Sequence, residues 1–163
     1  MRTGETMASL GSGVAFEGEI KTLQRVPFFR DVDPAKLRLL AFVGEKITYA
    51  PGESVFRQGN PADGVYVILG GEVEIYRDTG EGEPIELARF GDGMSFGEMS
   101  VLSGQKRSVS AVAATKLCVL RIKKNDFVEL VRQVPQLAFA IIREMSQRLE
   151  LMITKFSTYH HQP

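Results

Sequence analysis

Eleven of the sixteen glycines fall between Gly52 and Gly104, several in turn pairs such as Pro51-Gly52, Asp63-Gly64 and Gly70-Gly71. Glycine supplies the backbone angles that tight corners need, so this spacing cuts the stretch into segments too short for most helices. The segments alternate apolar and polar residues at 45–50, 65–69, 72–76, 85–90, 108–113 and 117–122. Period-two alternation with close corners predicts a many-stranded antiparallel unit of the roll or barrel kind.

Helical spacing flanks this stretch on both sides. Ile20, Leu23, Val26 and Phe29 recur every third residue, and Asp33 followed by Pro34 reads as the cap and first position of a second helix. Downstream, Phe127, Leu130 and Val131 mark a short helix, and Pro135 opens a long one running toward Phe156. In that last helix Ala138, Ile142, Met145, Leu149, Met152 and Phe156 form a heptad seam, with Leu137 and Ile141 off it. The seam fits packing on the chain's own strands or on a second copy, and the reading here leans to a homodimer.

At 163 residues, with 44% hydrophobic and 25% charged, the chain suits one domain with its own core. Residues 1–15, rich in Gly, Ser and Thr without apolar period, read as a flexible leader, and 16–163 as the domain. Twenty basic and twenty acidic residues cancel, which argues against whole-surface attraction to nucleic acid or anionic lipid. The charge is uneven: 53–92 holds nine acids and three bases, 104–155 ten bases and four acids, and solvated faces account for most of that.

No run approaches 18 apolar residues and residues 1–13 lack a signal-peptide core, so no membrane segment is expected. A lone Cys118 in an apolar run fits a reducing compartment, and the expectation is a cytoplasmic protein.

Fewer chemistries remain open than for most domains of this size. The only histidines, His160 and His161, lie at the tail, so neither a metal-dependent enzyme nor a haem or iron–sulfur sensor has its ligands, and no cofactor or metal is expected. Nothing after the long helix has room for a helix-turn-helix, so no DNA-binding domain is expected within these residues.

The stretch with most chemistry is Phe96-Gly97-Glu98-Met99-Ser100-Val101-Leu102-Ser103-Gly104-Gln105-Lys106-Arg107-Ser108-Val109-Ser110-Ala111. A buried anion needs charged or dipolar partners to replace water. Arg107 offers a permanently protonated planar fork, and the short helix entered at Gly97 offers orphan backbone N–H groups. Taken one at a time, Arg107 fits a surface ion pair, Glu98 a helix start and Gly97 a plain turn. Their fixed order between strands argues for a ligand.

This stretch resembles the phosphate-binding cassette of cyclic-nucleotide-binding domains. Phe28-Phe29, Tyr49-Ala50-Pro51-Gly52-Glu53, Gly59, Val65-Tyr66-Val67-Ile68 and Gly70-Gly71-Glu72-Val73 extend the likeness over about residues 20–156. The resemblance implies a mainly β fold: an eight-stranded antiparallel, jelly-roll-like β-roll with N-terminal helices and a long C-terminal helix.

It also implies a regulatory module, not an enzyme, that captures cAMP or cGMP and signals by rearranging its C-terminal helices. The ligand site it implies comprises Phe96, Gly97, Glu98, Met99, Ser100, Arg107, Ser108 and Val109. Arg107 would meet phosphate, Glu98 would accept the ribose 2′-hydroxyl proton, and Ser108 would donate to phosphate or base. Where relatives set a polar side chain against the base, this chain offers Met152 and Ile153, an apolar lid that would cover a purine without reading it. The effector would be a separate protein or another part of a larger channel, kinase or regulator. The rival reading is a nucleotide-independent β-roll that binds a partner protein.

Overall fold

A proline sets where the first helix stops. The computed structural model describes residues 5–7 and 17–160. Helix α1 (Glu17–Arg25) buries Ile20 and Leu23. Pro27 disfavours helical backbone at the residue before it, and Val26 is extended at φ −67°, ψ 123°. The three-residue spacing therefore does not carry the helix through Phe29: Phe28 and Phe29 enter a 3-10 turn, Pro27–Phe29, and both are buried. Helix α2 (Pro34–Val43) starts as the sequence predicts, with Asp33 accepting the Ala35 amide at 3.0 Å and Pro34 at the first position.

The strands are β1 (Glu5–Met7), β2 (Glu45–Tyr49), β3 (Ser54–Phe56), β4 (Gly64–Gly70), β5 (Val73–Arg77), β6 (Ile85–Phe90), β7 (Ser95–Phe96), β8 (Ser110–Ala113) and β9 (Leu117–Lys123). They form two antiparallel sheets, ordered β1-β2-β9-β4-β7 and β3-β8-β5-β6. Strands β2 to β9 are the expected eight-stranded roll. Two of them, β3 and β7, are too short for alternation to have marked them. Strand β1 lies inside the stretch read as a flexible leader: Glu5–Met7 pairs with Lys46, Ile47 and Thr48, because the outer edge of β2 offers a ladder to join. The rest of residues 1–15 lies outside the described residues, as do the side chains of His160 and His161.

Strand β4 explains how two cores share one sheet. Its Val65, Tyr66, Val67 and Ile68 are all buried, the signature of a strand covered on both faces. Val65 and Val67 join Leu120 and Ile122 of β9 against the helices, whereas Tyr66 and Ile68 point into the roll with Val119, Ile75 and Phe96. Helix α3 (Glu98–Ser103) lies between β7 and β8. Helices α4 (Lys124–Gln133) and α5 (Pro135–His160) follow, and Phe127, Leu130, Leu137 and Ile141 close the helical core.

Candidate functional site

The cassette is framed by two glycines. Gly97 stands at φ +87° as the residue before α3, a conformation that side chains disfavour, and a Cβ there would meet Arg107 Nη1 at 2.8 Å. Gly104 ends the helix at φ +73°, its N–H donating to the Ser100 carbonyl at 3.0 Å. The chain then returns past Arg107, whose N–H donates to Asn60 O at 2.8 Å and whose carbonyl accepts from Gly59 N–H at 2.7 Å. The 57–60 turn thus fixes the Arg107 backbone.

Arg107 points inward and is 2% exposed. Its Nη1 donates to Gly97 O at 2.6 Å, and its Nη2 donates to Gly64 O at 2.6 Å and to Asp63 Oδ1 at 2.9 Å. The guanidinium lies over the Phe56 ring, 4.1 Å from its centroid, beside the stacked rings of Tyr66 and Phe96. Three of about five donors are engaged, and Nε is buried with no hydrogen-bond partner among the described residues.

Asp63 accepts from Arg121 Nη1 at 2.9 Å and from the Tyr66 hydroxyl at 3.0 Å as well as from Arg107. Burial pushes its carboxyl up, but hydrogen bonds from Arg107 and Tyr66 and the charges of Arg107 and Arg121 outweigh that and hold it below its usual range.

Glu98 is 1% exposed. Its Oε1 accepts from Arg148 Nη1 of α5 at 3.0 Å, while Oε2 is buried with no hydrogen-bond partner among the described residues. Burial raises its pKa above the ordinary carboxylate value; its own backbone amide and Arg148 pull against that, and Glu144 adds to it. Arg148 also donates to Glu144 at 2.9 Å, so one guanidinium ties the cassette to the long helix.

The remaining expected site residues spread around this pair. Phe96 is buried under Tyr66, Ser100 is buried in α3, and Val109 is half-buried against the roll. Met99 and Ser108 are exposed, and the Ser108 carbonyl accepts from Arg77 Nη1 at 2.7 Å. Met152 and Ile153 are exposed on α5, and the α5 side chain bonded to Glu98 is Arg148, one helical turn before Met152.

Sequence reasoning missed Asp63, Tyr66, Arg121 and Arg148 as site residues. Asp63-Gly64 read only as a turn pair. For Arg148 a signal existed: Glu144 four residues earlier is the usual helical ion-pair spacing, although nothing pointed it at Glu98.

An antiparallel roll carrying a buried arginine and a buried carboxylate on one Gly-framed cassette is the architecture the sequence resemblance implies. Residues 46–134 match the cyclic nucleotide-binding domain family, more than half of the chain, and the chain belongs to that family. It is 31% identical over 123 residues to the cyclic AMP receptor protein of Thermus thermophilus, covering 76% of this chain and 57% of that one. A cAMP-dependent protein kinase regulatory subunit of Aspergillus fumigatus is 31% identical over 69% of this chain and 26% of its own length.

Among solved structures, the sensor domain of the transcriptional regulator DNR from Pseudomonas aeruginosa superposes with TM-score 0.75 at 26% identity, covering 83% of this chain and 91% of that one. The chain thus spans little more than half of the Thermus protein and about a quarter of the kinase subunit. No helix among the described residues is long and apolar enough to cross a membrane.

Proposed function

We propose that this module reversibly captures a cyclic nucleotide monophosphate, cAMP and also cGMP, and signals through its C-terminal helices as a cytoplasmic regulatory domain. The observation that carries this reading is the pair Arg107 and Glu98: two charged side chains, each almost wholly buried, each with one hydrogen-bonding atom that has no partner among the described residues, Nε–H on the cation and Oε2 on the carboxylate. A buried polar atom left unpaired costs on the order of 1–3 kcal/mol, so the site is set to gain from a ligand bearing an anion and a hydroxyl. A cyclic phosphate and a ribose 2′-hydroxyl are those groups.

Glu98 is also the route to the helices. Arg148 bonds one of its oxygens, so a ribose hydroxyl arriving at the carboxylate shares or displaces that bond and shifts α5. The apolar lid of Met152 and Ile153 covers a base without distinguishing adenine from guanine. Ile142, Leu149 and Met152 of the heptad seam stay 58–66% exposed while Leu137 and Ile141 pack on the core, which favours a homodimer through α5.

One observation favours the rival, a nucleotide-independent interaction module: the terminal nitrogens of Arg107 already bond to protein oxygens. Calorimetric titration with cAMP, cGMP and linear AMP separates the two. The proposal expects saturable heat with both cyclic nucleotides, of similar affinity, and weaker binding of AMP. Absence of heat with either at millimolar concentration would overturn it in favour of the rival.

A further inference from the structure

Four charged side chains of alternating sign run from the start of β2 to the cassette. Glu45 and Arg121 are direct cross-strand partners in β2 and β9, and Arg121 is opposite Tyr66 across the β4–β9 ladder. Glu45 Oε1 accepts from Arg121 Nη2 at 3.0 Å, Asp63 Oδ2 accepts from Arg121 Nη1 at 2.9 Å, and Asp63 Oδ1 accepts from Arg107 Nη2 at 2.9 Å. A cavity of about 350 Å³, walled by Tyr49, Phe56 and Tyr66, opens against Asp63 and Arg121. The Glu45, Arg121 and Asp63 side chains are 30%, 21% and 42% exposed, whereas that of Arg107 is 1% exposed.

The line has an electrostatic consequence for Arg107. A lone Asp63 would cancel the Arg107 charge and set a carboxylate beside any incoming phosphate. Arg121 holds the other oxygen of that carboxylate and so divides its charge between two cations. We propose that Arg121 is a positioning residue of the phosphate site: by sharing Asp63 with Arg107 it leaves the Arg107 charge available to a bound anion. The inference rests on the reading of Arg107 as the cation that meets the phosphate. Arg121 acts through Asp63 and touches no ligand itself.

The charges give the inference a sign. Glu45, Arg121, Asp63 and Arg107 sum to zero and end on a cation at the cassette. Arg121→Gln leaves two carboxylates and one arginine, net −1; Glu45→Gln leaves two arginines and one carboxylate, net +1. Both substitutions break the same Glu45–Arg121 ion pair, so a purely structural role moves both in one direction. The positioning role moves them apart.

The test is cAMP affinity by calorimetry on the full chain, with the unliganded melting temperature recorded for each variant. Arg121→Gln is expected to weaken binding about fivefold, the scale of a partly exposed ion pair, and Glu45→Gln to leave it within about twofold or tighten it. Arg121→Lys, which keeps the charge, should restore most of the loss, and it replaces Arg121→Gln if that variant does not fold. In an Asp63→Asn background the effect of Arg121→Gln should be much smaller than in the wild type.

Equal weakening by Arg121→Gln and Glu45→Gln, an undiminished Arg121 effect in the Asp63→Asn background, or no effect of Arg121→Gln at all overturns the inference. Arg107→Ala tells the two readings apart. If it leaves cAMP affinity unchanged, the assignment of Arg107 fails and this inference with it. If Arg107→Ala weakens binding while Arg121 is inert, only the positioning role fails.

Discussion

Glu98 and Arg107 solve the same problem, a charge held out of water, with different completeness. An ionised group in a low-dielectric interior costs several kcal/mol unless partners replace its hydration. Arg107 has a carboxylate, two carbonyls and an aromatic face. Glu98 has Arg148 on one oxygen only, and burial leaves its pKa raised. If the second oxygen is kept for a ribose hydroxyl, Glu98→Gln should weaken cAMP by about 1.5–3 kcal/mol, the worth of a hydrogen bond to a charged group. The same variant should barely affect 2′-deoxy-cAMP, as competition binding would show. An equal loss for both nucleotides would assign the carboxylate to holding Arg148 alone. The sequence marked Gly97, Glu98 and Arg107 as candidates because they lie within eleven residues of one another. It did not mark Asp63 and Arg148, since they stand 44 and 50 residues from the groups they bond and only the fold brings them there.

At the scale of elements, α5 carries two apolar stripes, one buried and one exposed. Leu137 and Ile141 are 1% and 4% exposed against the helical core. Ile142, Leu149 and Met152 face away from it, and only Met145 of the seam packs partly on the core. A heptad seam left open suits a partner helix of the same kind. Leu149→Glu would set a charge in that interface and should convert a dimer to monomer in sedimentation velocity, with the monomer's fold intact. Wild-type protein that sediments as a monomer at high concentration would contradict the dimer.

The heptad spacing was readable in advance because it is a pattern within one helix. Which stripe the roll would claim was not, because that depends on where α4 turns the chain. At the other end, Ile20 and Leu23 marked α1 correctly. Continuing their period to Phe29 failed, because the constraint of Pro27 on Val26 outweighs apolar spacing.

Over the whole molecule, the Gly-punctuated alternation delivered the roll, since short strands joined by tight corners have few other ways to bury one face. It did not show that β4 would serve two cores at once, the helical one through Val65 and Val67 and the roll through Tyr66 and Ile68. That arrangement matters for function: Tyr66 bonds Asp63 inside the roll while its neighbours pack under the helices, so the cassette and the helical layer share a strand. On the proposed reading this scaffold presents Arg107 to a cyclic phosphate, which the affinity of the wild type and Arg107→Ala for cAMP, under one buffer and salt concentration, tests most directly. Saturable binding is expected of the wild type and a loss on the order of 2–5 kcal/mol in the variant, as when one member of a desolvated charge pair is removed. Folded Arg107→Ala protein that binds cAMP as tightly as the wild type would contradict it.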